Sequence, residues 1–278
     1  MQPPICPEKL KKLLVCTDGS ENSRAALAEA LSLAKKCASL VYLLQVVAII
    51  PEFEAAAPDL MVLVGEEVSK QLAAVKAEAA ETGVALETRM SRGVSVSSTI
   101  LEEAEQIQPD LIIMGRYGRT GLARLLVGSV TARVIGHSPF NVLVVPMGAT
   151  ISFDRILIAS DGSPYSQAAF AEALALARGR ESKIFGVSVA AEEGEIPRAK
   201  EIVHQMLTAA NQAGMPIQAS MPQGQPPDDG IIQAAIKNEV DLIIMGSHGR
   251  TGLKRLLMGS VTERVIGQSP CPVLVVKR

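Results

Sequence analysis

The sequence predicts an α/β fold of two similar doubly wound, Rossmann-like domains, each with a five-stranded, mainly parallel sheet. First, the chain repeats itself: 28 of the 36 residues from 110 to 145 are identical to those from 241 to 276, without a gap. Second, short apolar runs alternate with helical patterns, which is typical of a parallel sheet covered on both faces. Third, the composition is aliphatic and lacks Trp. We therefore place the domains at residues 1–148 and 149–278, since each half is long enough to bury its own core.

Each half opens with a short apolar strand that runs into Asp-Gly-Ser, and a helix follows. In the second half, Ser163 and Pro164 are a good N-cap and a good first helical residue. A second strand and a longer helix come next, and Gly83 or Gly214 lies just past the end of that helix. A third strand, a helix, a fourth strand, a glycine-rich loop, a last helix and a fifth strand complete each half.

The predicted strands are Leu13–Thr17, Leu40–Val47, Ala85–Met90, Leu111–Met114 and Val142–Val145, then Ile156–Ser160, Lys183–Val189, Ile217–Met221, Leu242–Met245 and Val273–Val276. The predicted helices include Ala25–Ala34, Glu66–Glu81, Val96–Ile107 and Ser129–Ile135, then Ala168–Ala177, Pro197–Ala213, Gly230–Asn238 and Ser260–Ile266.

The halves differ after the second strand. Asp18 to Gly93 spans 75 residues and Asp161 to Gly224 spans 63, so the first half has twelve more. We predict that these residues form a longer loop around Pro51–Leu60, at the edge of the sheet where ligands of such folds bind.

The glycine-rich loop has the same spacing in both halves: Gly-x-x-Gly, nine residues, then Gly-Ser. Glycines after a buried strand let backbone N–H groups approach a ligand closely. The final Gly-Ser opens a helix, whose free N–H groups and positive dipole end suit a phosphate. The alternative is structural, because such glycines also make tight strand-to-helix turns and Ser is a common N-cap. The glycines are Gly115, Gly118 and Gly128, and Gly246, Gly249 and Gly259, with Ser129 and Ser260 opening the helices.

Charged residues accompany each loop. Arg119 and Arg124, and their counterparts Arg250 and Arg255, could neutralise phosphate; the alternative is a solvated helix face or pairing with carboxylates. Asp18 and Asp161 end the first strand of each half at the same sheet edge. A carboxylate there can accept hydrogen bonds from ribose, or can cap the next helix.

Several functions are excluded or disfavoured. The loops match neither a Walker A sequence nor the dinucleotide fingerprint, so fast phosphoryl transfer is not expected. His248 and Tyr117 share one loop position, where a solvent-facing residue is favoured over a catalytic one. A formal charge of −2 argues against binding to nucleic acid, and three scattered His residues show no metal-ligand spacing. The most apolar run, Leu40–Ile50, is too short to span a bilayer, and no signal peptide is recognised, so a cytoplasmic protein is expected.

Taken together, these motifs resemble a tandem universal stress protein over Lys11–Val145 and Arg155–Val276. The resemblance implies that each domain binds ATP, or AMP or ADP; if the protein were a slow enzyme of ATP hydrolysis or nucleotidyl transfer, Mg²⁺ would be brought by the nucleotide. It also implies that the last strands of the two domains pair within the chain, and it leaves open a homodimer and a regulatory protein partner. The contacts it implies in the first half are Thr17, Asp18, Val46, Gly115, Arg116, Gly118, Arg119, Gly128, Ser129 and Val130. Those in the second half are Ser160, Asp161, Val189, Gly246, Ser247, Gly249, Arg250, Gly259, Ser260 and Val261.

The leading hypothesis is an ATP-binding regulatory or stress-response protein. The alternatives are an enzyme with slow ATP hydrolysis or nucleotidyl transfer, and an interaction scaffold with vestigial nucleotide sites. Arg116 and Tyr117 replace the Ser-His of the second copy, and the Pro51–Leu60 insertion is present in one half only. Unequal affinities of the two sites are therefore expected.

Overall fold

The computed structural model describes residues 10–119, 127–250 and 258–278. The described strands are β1 (Lys12–Thr17), β2 (Leu40–Ala48), β3 (Leu86–Gly93), β4 (Leu111–Gly115), β5 (Val142–Val145), β6 (Arg155–Ala159), β7 (Lys183–Val187), β8 (Gln218–Ser220), β9 (Leu242–Gly246) and β10 (Val273–Val276). The described helices are α1 (Glu21–Cys37), α2 (Pro51–Ala56), α3 (Pro58–Glu81), α4 (Val96–Ile107), α5 (Ser129–His137), α6 (Pro164–Ala177), α7 (Ile196–Gln212), α8 (Pro227–Lys237) and α9 (Ser260–Gln268).

The strands form one sheet in the order β3-β2-β1-β4-β5-β10-β9-β6-β7-β8. Within each half all the neighbouring strands are parallel, and the chain order reverses between β1 and β4 and between β6 and β9. The predicted fold class, two doubly wound α/β repeats, is confirmed. The carboxyl ends of β1 and β4, and of β6 and β9, are therefore the topological switch points where ligands of this fold class bind.

Helices cover both faces of the sheet, so each strand buries alternate side chains on opposite sides. Along β1, Leu13 and Val15 belong to one apolar core, and Leu14 and Cys16 belong to the other. Helices α1, α3, α6 and α7 pack on the first face, and α4, α5, α8 and α9 on the second. Burial raises the pKa of the Cys16 thiol to about 12, so this cysteine behaves as a small buried hydrophobe.

The two domains share the sheet through their last strands. Strands β5 and β10 pair antiparallel, and Leu143 lies opposite Leu274, its counterpart in the repeat. A pseudo-twofold axis therefore passes close to this leucine pair. The intramolecular pairing implied by the family resemblance is present in the structure.

The predicted long loop at Pro51–Leu60 is wrong. This segment forms α2 and the first turn of α3, which is 24 residues long and starts well before the predicted Glu66. Each helix begins at a proline, Pro51 or Pro58, where the fixed backbone angle and the missing N–H suit a first helical position. The twelve additional residues thus build an additional helical surface on the first domain.

Candidate functional site

The candidate site of each domain lies at its switch point. In the second domain, a cavity of about 230 Å³ opens between the carboxyl ends of β6 and β9 and the start of α9. The apolar part of its wall includes Val187, Val189, Ile231 and Met245. The polar part includes Ser160, Asp161, His248, Gly249, Ser260 and Thr262. Nine of the ten predicted site residues of this half line this cavity, and Ser247 does not.

An aspartate holds each glycine-rich loop against the first strand. Asp18 Oδ2 accepts a hydrogen bond from the backbone N–H of Arg119 at 2.8 Å, and Asp161 Oδ2 accepts one from Arg250 at 2.8 Å. The other carboxylate oxygen of Asp18 accepts from the backbone and hydroxyl of Ser20, at the start of α1. Each aspartate therefore joins β1 or β6, the following helix and the glycine-rich loop.

These two carboxyl groups are ionised at neutral pH. Burial raises the pKa of Asp18, but hydrogen bonds from Ser20, from the Arg119 backbone and from Ser23 lower it more, and the resulting pKa is below the ordinary value. For Asp161 the same balance of burial against hydrogen bonds, from Ser163 first, leaves the pKa lowered. The Oδ2 atom of each aspartate accepts one backbone hydrogen bond from the loop and keeps a second lone pair, so both aspartates can still accept a hydrogen bond from a ligand.

Close contacts within the protein explain why the first two motif positions of each loop are glycine. A Cβ on Gly246 would lie 2.8 Å from the backbone carbon of Tyr165, at the start of α6. A Cβ on Gly249 would lie 2.8 Å from Asp161 Oδ2, and one on Gly118 would lie 2.5 Å from Asp18 Oδ2. These glycines let the strand end, the next helix and the aspartate come together, which is the structural alternative considered for them.

The third glycine is different. Gly259 has φ −64° and ψ 141°, an extended conformation that any residue adopts. Among the described residues, a Cβ there would meet neighbours at 3.5 Å or more, which is ordinary contact. Their contacts therefore do not require glycine at this position, and an external ligand is a physical reason for it.

Among the described residues, no side chain caps the helices that follow these glycines. The expected Ser N-cap is wrong for α5 and α9: Gly128 and Gly259 occupy the N-cap, and Ser129 and Ser260 are the first helical residues. By contrast, Ser20, Ser95 and Ser163 cap α1, α4 and α6 through their side chains. The first-turn N–H groups of α9 thus face the cavity and are available to an anion.

The arginines divide into two kinds. The Arg250 guanidinium pairs with Glu195 at 2.8 Å on the rim of the cavity, and both side chains are partly exposed. Arg119 contributes its backbone N–H to the site through Asp18. Arg124 and Arg255, predicted to assist phosphate binding, lie outside the described residues.

Arg116 points away from its own site and towards the other domain. Its guanidinium donates to the carbonyl oxygen of Gly267, at 3.0 Å, and to that of Ser269, at the carboxyl end of α9. Its own carbonyl accepts from Gly128 N–H at 2.9 Å. Ser247 occupies the equivalent position in the second half and is fully buried. The side chain of Arg116 therefore serves the domain junction, and only its backbone belongs to the glycine-rich loop.

The contact of Arg116 has a counterpart made by a different residue. Lys277, just after β10, donates from Nζ to the carbonyl oxygen of Ile135 at the carboxyl end of α5. Burial lowers the pKa of Lys277 to about 8. A cation from each domain thus caps the helix of the other, where the negative end of the helix dipole favours positive charge.

Replacing Arg116 by Ser, the residue of the second copy, should weaken the domain junction. Two carbonyl groups at the end of α9 would lose a charged donor, which is worth about 1.5–3 kcal/mol in total. Urea denaturation should show a lower free energy of unfolding for Arg116→Ser. Arg133→Ser, on an exposed position of α5, is the matched control and should change it far less. Equal losses in the two variants would contradict this role of Arg116.

The remaining predicted residues lie near the site in different ways. Ser160 and Val261 line the cavity of the second domain, and Thr17 Oγ1 lies 3.0 Å from Ser23 Oγ in the first. Val46 is half-buried within β2, and Val130 is in the first turn of α5. Sequence reasoning missed Ile231 and Met245 on the apolar wall, although Met245 sits at the carboxyl end of β9, a position that could have indicated it.

Two further features concern the described part of the chain only. No group of three or more His, Cys, Asp or Glu side chains there could hold a metal ion. None of its helices is both long and apolar enough to cross a membrane.

The fold and the sites define a protein of two fused α/β domains, each with an uncapped helix start at its switch point. The model of the universal stress protein family matches residues 9–146 and 152–277, and the chain belongs to that family. Universal stress protein MJ0531 of Methanocaldococcus jannaschii is 40% identical over 139 residues, 49% of this chain and 81% of that protein.

One solved structure shows the same fold over nearly the whole chain. A universal stress protein from Archaeoglobus fulgidus superposes with a TM-score of 0.77 and 22% identity, covering 96% of each chain. A universal stress protein solved in complex with cAMP matches 45% of this chain and 98% of its own, with a TM-score of 0.38 and 24% identity.

Proposed function

We propose that each domain binds an adenine nucleotide, ATP, ADP or AMP, and that the chain is a nucleotide-dependent regulatory protein of the stress response. The observation that carries the proposal is the uncapped start of α9, which faces a cavity behind a glycine that the contacts of the described residues do not require. An uncapped helix start beside a sterically open glycine is suited to a phosphate group.

The other walls of the cavity suit the rest of a nucleotide. Val187, Val189 and Ile231 offer an apolar surface on which an adenine ring would bury its faces. Asp161 is ionised and retains acceptor capacity, so it would accept hydrogen bonds from ribose hydroxyl groups. In the first domain Asp18 and the start of α5 have the same arrangement.

Hydrolysis of ATP is a second candidate function, for which His248 on the cavity wall is the residue to test. Mg²⁺ would enter with the nucleotide, coordinated mainly by phosphate oxygens. Binding and regulation remain our proposal, because the groups that line the cavity can bind a nucleotide without reacting with it. Location in the cytoplasm stays a prediction.

Calorimetric titration with ATP, ADP and AMP tests the binding proposal, together with mass spectrometry of any ligand released from denatured protein. We expect heat of binding in the titration, and an adenine nucleotide among the molecules released from the denatured protein. Absence of both would overturn it. Measuring ADP formation over hours in the same samples separates binding from hydrolysis, and His248→Gln should abolish any turnover that uses this side chain.

The two sites should differ in affinity. A Cβ added to Gly19 would lie 3.3 Å from the Arg119 guanidinium. A Cβ added to the equivalent Gly162 would lie 3.1 Å from Ile202 Cγ1 instead. The Arg250–Glu195 ion pair adds a rim contact in the second site. Different contacts give different binding free energies, and about 1.4 kcal/mol is tenfold in affinity. Dissociation constants measured on Gly128→Val and Gly259→Val, each leaving one site intact, should be distinguishable, and equal values and release rates would refute the asymmetry.

A further inference from the structure

The first domain carries an exposed apolar surface that its core does not explain. Of the nine large hydrophobic side chains that are exposed among the described residues, seven lie on or beside the segment from Ile50 to Val64. These seven are Ile50, Leu60, Val62, Leu63, Val64, Met90 and Val94. We call them the α2–α3 surface.

The members of the α2–α3 surface are neighbours in space. Met90 of β3 approaches α3, since its Sδ lies 3.8 Å from Ser69 Oγ. Val94 follows Gly93, whose carbonyl accepts from Ile49 N–H at 2.9 Å, next to Ile50. The Arg92 guanidinium ties the two parts together by donating to Met61 O at 2.8 Å. These contacts place the end of β3 beside α2 and the start of α3, so the seven apolar side chains lie in one region of the first domain.

The described part of the chain leaves the α2–α3 surface exposed. Leu60, Val62 and Leu63 are 53%, 57% and 60% exposed, although they lie in the first turns of a long helix. The same helix buries Gly65 and Val68 one turn later, so α3 does pack on the sheet from that point on. Large exposed apolar patches mark interaction sites. The second domain lacks the corresponding twelve residues and so has no such segment.

The negative charge of residues 51–67 indicates which kind of partner the α2–α3 surface would bind. Residues 51–67 contain five carboxylates and no Lys or Arg. Glu52, Asp59, Glu66 and Glu67 are exposed around the apolar side chains, while Glu54 lies near Arg92. An apolar patch with an acidic rim is complementary to an amphipathic helix whose apolar face is flanked by Lys and Arg.

We propose that the α2–α3 surface is a docking site for a partner protein that presents a basic amphipathic helix. A second copy of the chain fits less well, because a twofold contact would bring the two acidic rims together. An anionic membrane surface is repelled by the same carboxylates. The proposal is independent of the nucleotide sites, since it uses none of their residues.

Two synthetic helical peptides test it: a Leu/Lys amphipathic helix and a Leu/Glu helix with the same length and the same apolar face. Fluorescence anisotropy with the full chain should show binding of the Leu/Lys peptide that weakens with salt, and no binding of the Leu/Glu peptide. The double variant Leu60→Gln/Leu63→Gln should weaken binding by about tenfold or more. Met147→Gln/Ile236→Gln removes two exposed apolar side chains elsewhere and should bind as the parent does.

Separate results would overturn the proposal. Equal binding of the two peptides, or equal affinity of the parent and Leu60→Gln/Leu63→Gln, would exclude recognition by this surface. Light scattering after size-exclusion chromatography tests the second copy: a dimer that Leu60→Gln/Leu63→Gln abolishes would make self-association the function of the patch. The substituted side chains are exposed, so thermal unfolding should confirm intact folds in all variants.

Discussion

Gly259→Val is expected to abolish nucleotide binding in the second domain while the protein stays folded. The backbone at Gly259 has φ −64°, which valine adopts freely, and a Cβ there meets neighbours among the described residues only at ordinary contact distance. The added methyl groups would instead occupy the space before the first N–H groups of α9. Loss of one hydrogen bond to a charged group costs about 1.5–3 kcal/mol, or about 10- to 150-fold in affinity, and steric exclusion adds to that.

Calorimetry on Gly259→Val, with thermal unfolding to verify the fold, checks this expectation. Gly259→Ala should have an intermediate effect, since it adds a single methyl group. Gly128→Val should act likewise in the first domain, but with a cost to folding, because a Cβ there lies 3.2 Å from Arg116 O. If a folded double variant Gly128→Val/Gly259→Val bound ATP like the parent, the assigned sites would be wrong.

Much of the fold could be predicted from local sequence. Helix Val96–Ile107 has the predicted bounds, and every predicted strand has a counterpart in the sheet, because buried parallel strands and amphipathic helices leave strong short-range patterns. The prediction of a loop after β2 fails at two prolines, Pro51 and Pro58. Their positions at the first residue of α2 and of α3 show that proline there starts a helix.

The position of the candidate site could be predicted from the sequence, but the contacts within it could not. The repeated glycine spacing and Asp-Gly-Ser located both switch points. The separate roles of the glycines depend on contacts between residues far apart in sequence, such as Asp18 with Arg119 and Tyr165 with Gly246. The role of Arg116 depends on a helix end in the other domain, about half a chain away. Local patterns carry no information about such contacts.

Substitution of the two kinds of glycine should have opposite effects on folding and on nucleotide binding. A ligand-dependent glycine should tolerate substitution in folding and fail in binding, as argued for Gly259. A glycine at a close approach of two elements should fail in folding whether or not nucleotide is present. Comparing the two in one domain separates the contribution of the fold from that of the ligand.

Gly246→Ala is therefore expected to destabilise the second domain strongly. Its Cβ would lie 2.7–3.0 Å from Cβ, C and O of Tyr165, and the backbone atoms of α6 cannot turn aside as a flexible side chain would. Overpacking typically costs about 1–3 kcal/mol. We expect Gly246→Ala to lie at the upper end of that range, at about 3 kcal/mol. Gly194→Ala is the matched control, because a Cβ on Gly194 meets no atom of the described residues within 4 Å. Urea denaturation without nucleotide should show a large loss of stability for Gly246→Ala and almost none for Gly194→Ala. If Gly246→Ala were as stable as the parent and lost only nucleotide binding, this glycine would serve the ligand, and the distinction drawn between it and Gly259 would fail.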